Sequence, residues 1–161
     1  MDFAMINTSS GAFDFETDGT DLVISEGLLE AVINSIGRDG LAPEGLLPTG
    51  EDRKGHWSSA LTDEEKPADG SLIWTLRQRK ITAQLPYEVS EMLENCCAWM
   101  VNDEDGVAAS VSKVRAACEK ASRRGRLDAE LILYLKESDE QRRFSILFDL
   151  QNNKYFIKEL D

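Results

Sequence analysis

A chain of 161 residues that is 42% hydrophobic, with 4 prolines, is long enough for one domain with a true core. Its 18 basic residues stand against 30 acidic ones, giving a formal net charge of -12 and a sequence pI of about 4.5. That field repels phosphate backbones and argues against nucleic acid as a partner. Of the 3 cysteines, Cys96 and Cys97 are adjacent and Cys118 stands apart, so an odd set of thiols in a reducing compartment is expected rather than a disulfide framework. The start, MDFAMINTSSG, lacks the charge and apolar core of a signal peptide. No apolar run approaches the ~20 residues of a membrane span. A soluble protein made in the cytoplasm, with no membrane contact, is the expectation.

In chain order, residues 1–10 read as loose. Ala12–Glu16 alternates like a short strand, with Phe13 and Phe15 on one face. Asp18-Gly19 signals a turn and Asp21–Ile24 a second strand, so an N-terminal hairpin is expected. Ser25 is placed to cap a helix through Ile36, whose stripe is Leu28, Leu29, Val32, Ile33 and Ile36, with Gly37 as its stop. Residues 37–69 hold five glycines and three prolines and no sustained period, which predicts a long, partly ordered loop.

Gly70–Lys80, reading GSLIWTLRQRK, is the next helix. Asp69 or Ser71 suits its start, Leu72, Ile73 and Leu76 share a face with Trp74 beside them, and Arg77, Arg79 and Lys80 crowd its end. After a break near Ile81–Gln84, Pro86 opens a helix that buries Val89, Leu93, Cys96, Cys97, Met100 and Val101, ending at Asn102–Gly106. The remainder reads as strands: Val107–Ala121, long and built of small and β-branched residues, a turn at Gly125, the alternating Leu127–Lys136, a turn at Ser138–Glu140, the alternating Arg143–Leu150, a turn at Asn152-Asn153, and a short last strand at Tyr155–Ile157. The expected fold is α+β, with an N-terminal hairpin and helices packed against a C-terminal antiparallel β-meander, all in one domain over residues 1–161.

Catalytic patterns are absent from the sequence. A glycosidase needs two carboxylates at a set separation, one with a raised pKa. Glu51, Asp52, Asp63, Glu64 and Glu65 lie instead among polar loop neighbours and read as ionised surface groups. His56, the only histidine, has no His or Cys partner at zinc spacing. Asp103-Glu104-Asp105-Gly106 fails the EF-hand pattern, because the first and twelfth positions would be Val101 and Ser112. Ser58 and Ser59 lack a nucleophile elbow, and Gly50–Gly55 lacks the ending of a phosphate loop.

The residues that invite a partner are of another kind. Arginine holds carboxylates bidentately. Arg53 and Arg79 read equally as internal clamps on the long loop or as interface groups, and Arg77 belongs to the same set. Trp74 reads as core. Trp57 reads as core or as an interface anchor, and His56 beside it as a packed or interface side chain. From Lys113 to Arg126 the basic residues Lys113, Arg115, Lys120, Arg123, Arg124 and Arg126 face a single acid, Glu119. On so acidic a chain this strip is either a dock for an acidic partner or a solvated strand face.

Four stretches stand in order: GLLEAVINSIGRDGLAP at Gly27–Pro43, LPTGEDRKGHW at Leu47–Trp57, GSLIWTLRQRKIT at Gly70–Thr82 and AWMVNDEDGVAASV at Ala98–Val111. The series resembles the small baseplate-wedge proteins of Mu-like phage tails, over about Asp21 to Val111. More distantly it is similar to the short wedge subunit of other contractile tails and of type VI secretion baseplates. It departs from the pattern at His56, where relatives tend to carry an aromatic, and at Ser58-Ser59, where they tend to carry Gly-Asp. Thr75 and Gln78 replace more apolar residues.

The resemblance implies a late, non-enzymatic structural protein of the virion, from a phage or a prophage-derived tail, with no cofactor. It would be assembled in the host cytoplasm in six copies per baseplate, against larger wedge proteins, the hub and the sheath. A regulatory adaptor that binds a host protein is the alternative reading of the same domain, and a cell-wall glycoside hydrolase comes behind both.

Overall fold

The computed structural model describes residues 2–25, 27–55, 70–102, 111–136 and 140–160. The chain opens with paired short strands rather than a loose tail. β1 (Asp2–Phe3) pairs with β4 (Ile24–Ser25), and β2 (Met5–Asn7) pairs with β3 (Phe13–Phe15), both antiparallel. The polar run that looked loose is the β2–β3 turn: Thr8 N–H donates to Ala12 O at 2.8 Å and Gly11 N–H to Thr8 O at 2.9 Å, with Gly11 at φ 80. The hairpin expected around Asp18-Gly19 is held by the Thr17–Leu22 bridge, with Asp18 N–H donating to Asp21 O at 3.1 Å and Val23 N–H to Glu16 O at 2.9 Å, while the flanking strands take β1 and β2 as their ladder partners.

α1 (Leu28–Gly37) buries Val32, Ile33 and Ile36. Ser25 is not its cap residue. Gly27 holds that position at φ 85, and the Ser25 hydroxyl accepts from Gly27 N–H at 2.9 Å while donating to Glu30 Oε2 at 2.6 Å. Glu30 Oε1 also accepts from Met5 N–H at 3.1 Å. One buried carboxylate therefore ties β2 and the β4 end to α1. The helix runs one residue beyond the expected stop and ends where Arg38 turns extended.

The Gly70–Lys80 stretch forms a 3₁₀ helix over Ile73–Gln78 only. At three residues per turn Ile73 and Leu76 stack on one line, and both are buried. Arg79 is already extended. α2 (Leu85–Cys97) has Pro86 in its first turn and buries Leu85, Val89, Leu93, Cys96 and Cys97. Ala98 separates it from the one-turn α3 (Trp99–Asn102), whose Trp99 indole donates to Ser35 Oγ on α1 at 2.9 Å.

Four antiparallel strands follow in the order β5 (Val111–Lys120), β6 (Arg126–Leu135), β7 (Gln141–Asp149) and β8 (Lys154–Leu160). The meander is the one expected, with β8 longer at both ends. The acidic run at 103–106 and the first residues of the expected long strand, 107–110, lie outside the described residues. Leu127, Leu131 and Leu133 of β6, with Phe144, Ile146 and Phe148 of β7, face α1 and α2 and close the core.

Both edges of this sheet are guarded at mid-strand. Glu94 of α2 accepts the Ala116 N–H of β5 at 2.9 Å, and Asn7 of β2 accepts the Ile157 N–H of β8 at 2.7 Å. Unpaired edge amides template association with other strands, and each side chain removes one.

Candidate interaction surface

Three of the stretches singled out in the sequence converge at one corner beside the end of α1. Asp39 and Ser71 form a parallel bridge, with Ser71 N–H donating to Arg38 O and Gly40 N–H to Ser71 O, both at 2.8 Å. The Ser71 hydroxyl donates to Ile36 O at 2.6 Å, and the Trp74 indole N–H donates to Gly40 O at 2.9 Å. Such close passage needs glycine at position 70. Its φ is +100, and a Cβ there would lie 2.6 Å from Arg38 O.

Arg53 completes the corner as an internal clamp. Its Nε donates to Ala42 O at 2.6 Å, and its Nη1 reaches the exposed Glu44 at 3.4 Å. Ala42 N–H in turn donates to Arg53 O at 3.0 Å. Lys54 Nζ pairs with Asp39 at 2.5 Å and sits 4.8 Å from the centre of the Trp74 ring. Arg79 pairs with Glu88 of α2 at 2.5 Å, and its Nη1 is buried with no hydrogen-bond partner among the described residues. Arg77 is exposed and lies 5.9 Å from the Trp74 ring centre. His56 and Trp57 fall outside the described residues.

An open cavity of about 230 Å³ adjoins the corner, lined by Asp39, Lys54, Trp74, Arg77, Lys154 and Tyr155 among others. Burial, then the nearby Asp39 charge, raises the Tyr155 phenol above its ordinary range. The lining mixes cations, aromatic side chains and two paired acids, Asp39 with Lys54 and Asp149 with Arg126. The Cys96 and Cys118 thiols are held protonated. The neighbouring Cys97 and burial raise Cys96, while burial, Asp128 and Glu119 push Cys118 up to about 12. Among the described residues no group of three or more His, Cys, Asp or Glu could hold a metal.

The basic strip is less open than its composition suggests. Lys113 and Arg115 lie on the exposed face of β5, with Lys113 Nζ 5.4 Å from the Tyr134 ring centre and Arg115 3.7 Å from Glu94. Arg126 is a structural residue, donating to Asp149 Oδ2 through Nη2 at 2.9 Å and Nε at 3.2 Å. Asp149 also accepts from the side chain and backbone of Asn152. Those Asn152 bonds first, and Arg126 after them, hold its carboxyl below the ordinary range. Arg123 and Arg124 project from the β5–β6 turn and are exposed. Because Glu94 occupies the Ala116 amide, the middle of the β5 edge is closed to an added strand.

Residues 28–140, more than half of the chain, match the model of the family described as phage protein GP46. The chain belongs to the GP46 family. The match covers the convergent corner, α2, α3, β5 and β6, and it extends past the Val111 limit of the resemblance seen in the sequence. Membership in GP46 gives the chain a structural role in a phage tail or baseplate in the broad sense. No helix among the described residues is long and apolar enough to cross a membrane, and the GP46 assignment is to a virion-associated protein. Searches of curated proteins and of solved structures found no match.

Reasoning from the sequence alone missed Glu30, Lys54, Glu94 and Asp149. Each is a polar residue whose partner is distant in sequence or on a loop. Ser71 was expected at a helix start, and its hydroxyl accepts from Ile73 N–H at 3.3 Å while donating to Ile36 O.

Proposed function

We propose that this chain is a non-enzymatic wedge subunit of a contractile-tail baseplate, joining larger wedge proteins and the hub to the start of the sheath. The GP46 match over residues 28–140 carries the reading. The convergent corner supports it, because three of the motif stretches are hydrogen-bonded to one another there. Six copies surround the tail axis, and the chain acts there without a cofactor.

Within that assembly the exposed Arg123-Arg124 turn, with Arg115 behind it, docks an acidic surface of the sheath or of a larger wedge protein. Reversing all three arginines to Glu leaves the fold intact by circular dichroism and blocks that joining. A folded triple variant that builds infectious tails at normal yield overturns the docking assignment. For the function itself, phage lacking the gene should yield no assembled baseplate and no sheathed tail. Normal tails that fail only at cell-wall penetration would transfer the role to an enzyme.

A further inference from the structure

The N-terminal strands present an apolar surface that the core does not use. Phe3, Phe15 and Ile24 are 46%, 51% and 60% exposed. Phe3 is registered directly against Ile24 across β1–β4, and its ring meets Phe15 edge-on at 6.2 Å. The three side chains form one contiguous patch.

The strands that carry them are anchored to the rest of the fold. Met5 and Phe13 pack on the core, the Phe13 ring lies 5.7 Å from Tyr155, and Glu30 and Asn7 bond them to α1 and β8. A patch held this way needs little ordering on binding. It also lies outside the residues that match GP46.

Charge decides what covers it. Residues 1–37 contain seven acids and neither lysine nor arginine. Asp18 and Asp21 of that set are exposed in the turn between β3 and β4, and Glu16 is exposed just after β3, while the exposed Asp14 alternates with Phe15 onto the other face of the strand. Backbone N–H groups of Asp21 and Thr20 hold the Asp18 carboxyl below its usual range, so it stays ionised. Anionic lipid and nucleic acid are repelled by so acidic a segment. The basic turn of a second copy, Lys120–Arg126, matches the charge but offers only Ala121, Ser122 and Gly125 between its cations, with nothing to fill an aromatic patch.

We propose that Phe3, Phe15 and Ile24 form a docking site for a different protein, one that presents aliphatic or aromatic side chains flanked by lysine or arginine. The apolar patch supplies the affinity, and the acidic segment that carries it selects a basic partner and speeds its approach.

The test uses the purified full chain and two amphipathic peptides of about 12 residues, one of leucine and lysine and one of leucine and glutamate, followed by amide NMR. The lysine peptide should shift the Phe3, Phe15 and Ile24 signals and bind at least about tenfold more tightly than the glutamate peptide. Phe15→Ser, at an exposed position, should keep the fold and lose that binding. Equal binding of both peptides, shifts confined to other surfaces, or undiminished binding by Phe15→Ser overturns the proposal. So does a concentration-dependent dimer of the chain that Phe15→Ser abolishes, since a second copy would then be the occupant. The natural partner is sought on the baseplate reading, by placing a photo-cross-linking phenylalanine analogue at Phe15 in assembled tails. An adduct on a basic segment of another protein is expected, and intact tails with no adduct count against the site. Absence of the chain from the tails instead contradicts the baseplate reading, and the peptide result stands apart from it.

Discussion

Glu30→Ala tests whether one buried carboxylate holds the N-terminal strands to the helical layer. Glu30 is 1% exposed and accepts from Met5 N–H at 3.1 Å and from the Ser25 hydroxyl at 2.6 Å. Hydrogen bonds to a charged group contribute about 1.5–3 kcal/mol each, and a buried donor left unpaired costs about 1–3 kcal/mol. The Ser25 hydroxyl can rotate to another acceptor, whereas the Met5 amide is fixed by the ladder. Removing the charge also recovers part of its desolvation cost. The net loss should be about 2 kcal/mol, which lowers Tm by roughly 4–8 °C for a domain of this size. Urea unfolding gives the free energy, and hydrogen exchange at Met5 shows that the loss is local. Glu30→Gln keeps the shape and one acceptor oxygen, so it should lose about half as much. A change in stability below about 0.5 kcal/mol for Glu30→Ala, with Met5 still protected, refutes the reasoning.

Two further outcomes follow from the ionisable groups. The Asp149 carboxyl lies below its ordinary value of 3.8 in the folded chain, so its contribution to stability is complete above that value and is lost as the pH falls through the folded one. Asp149→Asn should therefore be less stable than the parent near neutral pH and converge with it in acid, as read from urea midpoints across pH; a gap that persists at the lowest pH contradicts the assignment. Cys96, Cys97 and Cys118 should resist a thiol reagent at about pH 8 in the native state and all react on unfolding, because each thiol is at least half-buried and the Cys96 and Cys118 thiols are held protonated. Rapid stoichiometric labelling of the native chain refutes this.

The parts legible in the sequence are those governed by periodicity. Alternation through Leu127, Leu131, Phe144 and Ile146 gave the meander and its buried face, and the spacing of Val89, Leu93 and Cys96 gave α2. Elements set by distant polar partners were not legible. The Gly70–Lys80 motif reads as a longer helix because nothing local reveals that Ser71 is held by Arg38, Gly40 and Ile36 on an earlier loop. The first ten residues read as loose because Thr8–Gly11 is polar, yet polar residues with a glycine at positive φ are what a tight turn requires. The same limit applies to the candidate surface. The arginines were visible by type, while the division between the clamps Arg53, Arg79 and Arg126 and the exposed Arg77, Arg123 and Arg124 depends on which acids the fold brings near.

The most direct test of the baseplate reading is an electron-microscopy map of intact, purified tails resolved well enough to trace side chains. The account predicts this chain at the baseplate, in six copies around the hub, against larger wedge proteins and beside the first ring of the sheath. A map that traces a complete baseplate and the start of the sheath without density for the chain would contradict it.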